Sequence, residues 1–587
     1  MASNSALVVS QLDFDTIRSN LSTYLKGQTQ FKDYDFDGSN LSVLLDVLSY
    51  NTYMNNFYTN MAISEMFLDS AQIMDSVVSR AKELNYTPRS YTSAVSYVDI
   101  SIVPNDSPAT ITIPKGTPFT SRIDNTIYTF TTDQSIIVAS ADNYLASNVA
   151  IYEGTYVTET FSVDTTIENQ RFILNNTTLD TSSLDLKIQN SSTDTTNTAF
   201  IQTDTLLGYK NDSKIFFVQA ADKNRYELIF GDDIIGVRPI NGNLILASYR
   251  TSKGAAANKA DTFIPASTIA GYSTSVISVT TNVAAYGGSE RETMNSIKYN
   301  APRHYQTQNR AITIDDYRTI LLSKYPDIRA INVYGGEVLN PPQYGTVFIS
   351  VDLSEFAGVP DIVKSNIQSY ILTKMSISIE PKVVDADYTY IGVNATASYN
   401  LNASSKTEGD IKNIIFDAIK TFNTTYLNDF NKTFRYSKLA STIDSSDDSI
   451  INSNLITTLI KKISPTIGTA QQFNLDYQNV LKENTVKSDV FEYSNVTAYL
   501  YDIGEGEIAI VTSIDSSTSI VVIEHGIGTI DYTTGAVVIN LPALVNYTGD
   551  QINVSVSSLY NDFSVKNNTV LLIDDADINI TVSAARA

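Results

Sequence analysis

The sequence predicts a multidomain α+β protein with an N-terminal helical segment, a β-rich central domain, an α+β domain and a C-terminal all-β domain. Three observations predict it. At 587 residues the chain exceeds what one core covers, because single cores stop growing at about 250–300 residues. Apolar residues recur at three- and four-residue spacing between Leu41 and Leu84, but alternate in short runs from residue 91 to about 290. Helical spacing then returns in places up to about residue 475 and vanishes after about 490. The expected boundaries are 1–90 for the helical segment, 91–290 for the β-rich domain, 291–329 for a helical connector, 330–475 for the α+β domain and 476–587 for the β tail.

Within the first segment, Leu41, Leu44, Leu45 and Leu48 recur on one face, followed by Tyr53, Phe57 and Tyr58, then by Met66, Phe67, Ile73, Val77 and Leu84. Pro88 marks the stop. Upstream, DYDFDGSN places Asp33, Asp35, Asp37 and Gly38 as in the start of an EF-hand loop, but Asn40 and Leu44 stand where an apolar residue and a bidentate glutamate are required. The segment reads as an acidic turn in which Ser39 or Asn40 caps the helix.

Residues 91–290 are strand-like: SYVDISIV, ATITIP, IYTFTT and QSIIVAS alternate between turns rich in Asn, Asp, Ser and Thr. RETMNSIKYNAPRHY and TIDDYRTILLSK read as two helices, the second with Thr313 as N-cap and Asp316 completing a capping box. YGTVFISVDL is a strand; PDIVKSNIQSYILTK is a helix with Pro360 in its first turn; YIGVNATASYNL is a strand. TEGDIKNIIFDAIKTF is a helix with Ile411, Ile415, Ile419 and Phe422 on one face. The tail, including SIVVIEHGIGTIDYTTGAVVINL, is a series of strands joined by glycine turns.

Composition narrows function. The 63 acidic and 40 basic residues leave a formal charge of −23, a field that repels nucleic acid and anionic lipid. The absence of cysteine excludes disulfides and Cys-ligated zinc or iron–sulfur centres. The two histidines, His304 and His525, leave little for zinc hydrolases or serine triads. The opening MASNSALVVSQLDFD does not read as a secretory signal, and no apolar run is long enough to span a membrane. No catalytic, cofactor or metal residues are expected.

The acidic stretch FGDDIIGVRPINGN raises the question of a metal site at Asp232 and Asp233. Two neighbouring acids without a third ligand, in a negative field, favour a structural turn instead. DSSDD at 444–448 reads as a solvated loop.

Residues 230–258 and 284–317 carry an FGD turn, a tyrosine strand ending in G-x-x-x-N, then GG-x-E, a helix ending in Ala-Pro and the box NRAITIDDY. With IPKGTPF at Ile113–Phe119, this set resembles the baseplate J-like family of contractile-tailed phages. YDFDGSNLSVLLDVLSYNTYMNNFYTNMAISEMFLDSA and FRYSKL are similar to the baseplate wedge subunits of T-even-type phages.

The resemblance implies a structural virion protein of the tail baseplate, assembled in the host cytoplasm. It would pair with itself and with other wedge subunits, link wedges into a ring around the hub and take part in triggering sheath contraction. Gly231, Asp232, Gly236, Gly242, Gly287 and Gly288 would be turn residues. Leu44, Leu48, Phe57, Phe67 and Val77 would face a helical bundle with another wedge protein, with residues 91–290 folding independently. The alternative is a β-rich receptor- or glycan-binding tail adhesin, which leaves the aromatic N-terminal helices unexplained. A tail hydrolase would require two acids converging on a cleft.

Overall fold

The computed structural model describes residues 10, 12–31, 36, 40–206, 208–339, 341–353, 358–401, 406–494, 496–512, 520–544, 546–547, 549 and 551–585. The chain divides into two compact units, Met1–Asp327 and Ile328–Ala587.

The first unit begins with three helices, α1 (Phe14–Lys26), α2 (Leu41–Ser64) and α3 (Met74–Glu83). The first was not foreseen, although Asp13 caps it in a normal manner by accepting from the Thr16 amide at 2.8 Å. The apolar run from Leu41 to Leu84 is broken between α2 and α3, so Met66 and Phe67 lie in turns and Ile73 caps α3. The carboxylate of Glu65 accepts from the amides of Gln72 and Ile73 at 2.8 and 3.2 Å, which holds this break in shape. Asn40 precedes α2 but makes no side-chain cap bond; Asp33, Asp35, Asp37, Gly38 and Ser39 lie outside the described residues.

Strands follow: β1 (Val95–Ile102), β2 (Thr110–Ile113), β3 (Pro118–Ile123), β4 (Thr126–Thr132), β5 (Ile136–Ala139), β6 (Leu145–Glu153), β7 (Thr155–Ser162) and β8 (Phe172–Leu174). Next come β9 (Leu179–Gln189), β10 (Asn197–Gln202), β11 (Ile215–Ala221), β12 (Arg225–Phe230), β13 (Leu244–Thr251), β14 (Ile264–Pro265) and β15 (Ile277–Tyr286). They form two principal sheets where a single domain was expected. The first has the order β14-β3-β4-β6-β1-β15, the second β7-β13-β9-β10-β11-β12-β8, and β2 pairs with β5 separately. Strict alternation explains the burial: Val98, Ile100 and Ile102 of β1 point into the first core, and Ile245, Ala247 and Tyr249 of β13 into the second.

Two helices close the unit, α4 (Met294–Thr307) and α5 (Ile314–Lys324). The first continues through Pro302 instead of ending there. The second carries the expected capping box of Thr313 and Asp316. Neither α3 nor α4 stands apart from the β-rich region. Ala71, Val77, Val78 and Ala81 from the α3 region, with Ile297 and Ala301 of α4, are buried in the core of the second sheet. Residues 91–290 therefore share a core with elements on both sides.

In the second unit, a three-stranded sheet of Ile328–Gly335, Thr346–Leu353 and Glu380–Asp385 is accompanied by α6 (Asp361–Leu372). Pro360 is the N-cap of α6, one position before its first turn. Strands Asp387–Asn400 and Ile450–Ile463 pair antiparallel toward one end of a 13-stranded sheet. Helices α7 (Glu408–Tyr426) and α8 (Tyr436–Asp444) pack on this region. Ile411, Ile415, Ile419 and Phe422 of α7 are all buried, as their spacing predicts. The boundary expected at 475/476 falls inside this sheet: strand Gln471–Asp476 pairs with Ala536–Leu541, and both regions contribute to one apolar core. The sequence pattern changes there only because the helices end.

Glycine accounts for one tight passage in the first unit. A Cβ on Gly288 would lie 2.5 Å from the Gly254 carbonyl and 2.7 Å from Asn258 Oδ1. Gly242 has φ +85 but open space around it. Gly288→Ala is therefore expected to cost more than about 2 kcal/mol through displaced backbone, and Gly242→Ala about 1–2 kcal/mol through the left-handed conformation alone. Thermal or urea unfolding of the two variants checks the order.

Candidate partner-docking surface

The residues expected to matter separate into turns, a core position and an exposed face. At the acidic turn, a Cβ on Gly231 would fall 2.3 Å from the Gly236 carbonyl, so the chain closes on itself only with glycine there. Asp232 accepts from the amides of Ile234 and Ile235 at 3.0 and 3.1 Å, which hold its carboxyl below the usual range. Asp233, with φ +68, accepts instead from the Arg238 amide at 2.9 Å. The two carboxylates thus serve different backbone donors. Among the described residues no group of three or more His, Asp or Glu is arranged to hold a metal ion. Gly242 donates to Val163 O at 2.9 Å, and Gly287 has φ +75 at the end of β15.

In DSSDD, Asp444, Ser445 and Asp448 are exposed as expected, while Ser446 and Asp447 are half-buried. Asp447 accepts from the Ser449 amide at 2.9 Å and its hydroxyl at 2.6 Å and pairs with Lys406. The Lys406 ammonium first, then Ser449, draw its carboxyl down to about 2.

The helical positions divide. Val77 is fully buried in the protein's own core and cannot face a partner, because its side of α3 seals the second sheet. Leu44, Leu48, Phe57 and Phe67 are exposed by 58, 55, 43 and 56%. Leu45 alone of the early leucines is turned inward with Ile17 of α1, so Leu41, Leu44, Leu45 and Leu48 do not share one buried face.

Helix α1 meets α2 on the Leu45 side. Arg18 reaches Asp46 at 2.6 Å and Ser42 Oγ at 3.2 Å, and Asn60 exchanges hydrogen bonds of 2.9 and 3.1 Å with the Ser10 backbone. The opposite side carries Val43, Val47, Tyr50, Met54, Phe57 and Met61, whose spacing alternates between four and three residues. All are exposed except Met54, which is half-buried. Tyr58, Leu44 and Leu48 widen this stripe.

Asp46 is the only Asp, Glu, Lys or Arg in the 24 residues of α2, and Arg18 already pairs with it. The covered side buries Leu45 among the polar Ser49, Asn60 and Ser64, so most of the helix's large apolar side chains lie on the uncovered side, and such a face needs a cover. At about 1.5–3 kcal/mol per large side chain, burying six of them offers roughly 10 kcal/mol to an association. The seam is legible in the sequence as a heptad spacing beside the exposed Leu44 and Leu48.

Family models match three parts of the chain. Residues 13–86 match "Baseplate wedge protein gp6-like, helical domain", residues 313–384 "Baseplate structural protein gp6, C-terminal domain I" and residues 387–462 "Baseplate structural protein gp6, C-terminal domain III". Baseplate wedge protein gp6 of Enterobacteria phage T4 is 24% identical over 510 residues, covering 82% of this chain and 75% of that protein. These matches place gp6-like baseplate wedge domains in three parts of the chain.

The chain is a structural subunit of the tail baseplate of a contractile phage. The helical match spans the exposed stripe of α2 and α3 together. Among solved structures, a chain of the sixfold-symmetrised anti-feeding prophage baseplate aligns with a TM-score of 0.30 and 14% identity, over 77% of this chain and 95% of that one. A chain of the type VI secretion TssK-TssF-TssG baseplate subcomplex aligns with 0.32 and 7%, over 59% and 96%.

Replacing Asp232 and Asp233 with Asn is expected to leave Mg²⁺ or Mn²⁺ titration calorimetry unchanged. Stoichiometric metal that disappears with the substitution would make the turn an ion site.

Proposed function

We propose that this wedge subunit joins its neighbours through the outward face of α2, and that it pairs with further copies of itself to link wedges into a ring around the hub. The rearrangement that triggers sheath contraction then passes through these contacts. The observation that carries the reading is the uncovered stripe of Val43, Val47, Tyr50, Phe57 and Met61 on a helix whose other face is already packed. Its alternating spacing suits a helix from another wedge protein, laid alongside as in a coiled coil. The adhesin alternative gains nothing from this feature, because glycan sites are not built from charge-poor helical seams.

Ring formation adds a geometric demand. A closed pair uses the same patch on both copies, so a ring requires at least one further contact of a different kind. A permanent pair should bury more than about 2,000 Å² in total. Light scattering of the isolated chain is therefore expected to show dimers or larger species. A baseplate with one isolated copy per wedge would contradict the linking role.

The docking face is tested where it is separable from folding. Val47→Glu with Phe57→Glu, both on the exposed face, should change stability by less than about 1 kcal/mol yet abolish co-purification with co-expressed wedge partners. Removing residues 1–65 should act in the same way, because Ala71 and Val77 then remain to close the second sheet. Val77→Ala is expected to lower stability by about 2 kcal/mol and leave partner binding intact. Full-occupancy co-purification of the double glutamate variant would move the contact elsewhere.

A further inference from the structure

In the first unit the chain crosses between its two sheets at a single neck. It enters the first sheet past Thr92 and Ser93, leaves through Glu153 and Gly154, returns through Ser252, Lys253 and Gly254, and leaves again through Gly288 and Ser289. These passages are bonded to one another. Thr92 and Ser289 exchange backbone hydrogen bonds of 3.0 and 3.1 Å, and the Glu153 amide donates to Ala94 O at 2.8 Å. The buried Glu153 carboxylate accepts from Ser252 Oγ at 2.8 Å and the Lys253 amide at 3.0 Å. Asn258 accepts from the Gly288 amide at 2.9 Å and donates to its carbonyl at 3.0 Å. The G-x-x-x-N and GG-x-E motifs therefore meet here.

Each sheet has its own apolar core. Among the described residues the two buried clusters share no member. What spans the sheets beside the neck is polar. Arg250 of β13, with its side chain 3% exposed, donates to Asp133 at 2.8 Å and to the Tyr156 hydroxyl at 3.2 Å. Its guanidinium lies 4.1 Å from the centre of the Tyr152 ring of β6. Tyr156 also donates to Asp133 at 2.6 Å, and Lys115 of the first lobe reaches Asp185 of β9 at 3.2 Å.

Asp133 is itself about half exposed and, with Tyr152, lines an open cavity of about 460 Å³ along β5 and β6. Parting these contacts uncovers no apolar core. Lobes joined by a narrow passage and a polar interface move as rigid bodies unless something holds them.

We propose that the junction is a latched joint, in which the first sheet swings about the neck relative to the second sheet with α3 and α4, and the Arg250–Asp133–Tyr156 cluster with the Lys115–Asp185 pair holds the closed position. The neck fixes the pivot, since four passages bonded side by side cannot slide past one another. Gly154, with φ +118, and Gly254, with φ +65, sit at two of those passages, where a change in backbone angle turns a whole lobe. The joint is a property of the subunit itself and does not depend on which partner covers α2.

The cysteine-free chain allows spin labels to be placed without background. Asn125→Cys, on the turn between β3 and β4, and Thr193→Cys, between β9 and β10, are exposed and report the distance between lobes by double electron–electron resonance. Asn125→Cys with Asp142→Cys reports within the first lobe. The unaltered latch should give one narrow distance for each pair. Arg250→Met is expected to add a second, longer inter-lobe distance while the intra-lobe distance stays fixed. Lys115→Ala with Asp133→Ala, which removes the ion pairs between the lobes and the Tyr156–Asp133 bond but leaves the buried guanidinium in place, should do the same and decides the matter if Arg250→Met does not fold. One unchanged inter-lobe distance in the second variant would overturn the joint. A shift of both distances would equally overturn it, because the first lobe would then be deforming instead of turning.

Discussion

The burial of α3 beneath the second sheet is the constraint on which the arrangement of the first unit depends. A ten-residue helix is too short to persist alone in water, so α3 exists because Val77, Val78 and Ala81 fill the space that the sheet and α4 leave open. Glu65, bonded to the Gln72 and Ile73 amides, fixes how the chain leaves α2 for α3. The apolar seam of α2 is consequently held to a folded body, not carried on a free tether. A helix anchored in this way moves with the body beneath it.

Buried polar groups specify how the pieces of each unit meet. Glu292 accepts from the Tyr86 hydroxyl at 2.7 and 2.9 Å, the Ser296 hydroxyl at 2.6 Å, Asn300 at 2.8 Å and the Arg89 amide at 3.2 Å. Burial, then the neighbouring carboxylate, push the Tyr86 hydroxyl far above its usual range, so it remains a donor. In the second unit Lys461, with its side chain 4% exposed, meets Asp387 at 2.6 Å; burial pulls its ammonium down against the opposing pull of that carboxylate. Such groups add little net stability over apolar substitutes, but an alternative packing that separated them would leave a bare charge inside. They therefore select one arrangement among several of similar apolar burial.

The second unit follows a different logic from the first. Its large sheet joins strands on both sides of α7 and α8 into one core, in which Ile415 and Phe422 lie in the same cluster as Leu500, Ile539 and Val554. Strand Asp387–Asn400 pairs parallel with Ile578–Ala585, a contact that joins segments almost two hundred residues apart. Closing contacts over such sequence separations binds the unit into a single cooperative body.

Local periodicity was enough to place α7, with its four inward residues, the capping box of α5 and the alternating strand β1, because each depends on neighbours within a few residues. The same holds for the family, whose short motifs keep their order along the chain. Three features were out of reach for local reading. Val77 and Phe67 look alike as apolar residues at helical spacing, yet one is sealed under a sheet and the other faces outward. The loss of helices near residue 476 looks like a domain boundary, yet the sheet continues through it. Gly254, Asn258 and Gly288 read as separate turns until the fold brings them to one neck. In each case the deciding quantity is what lies opposite the residue, and that is set by contacts far apart in sequence, which only the tertiary structure supplies.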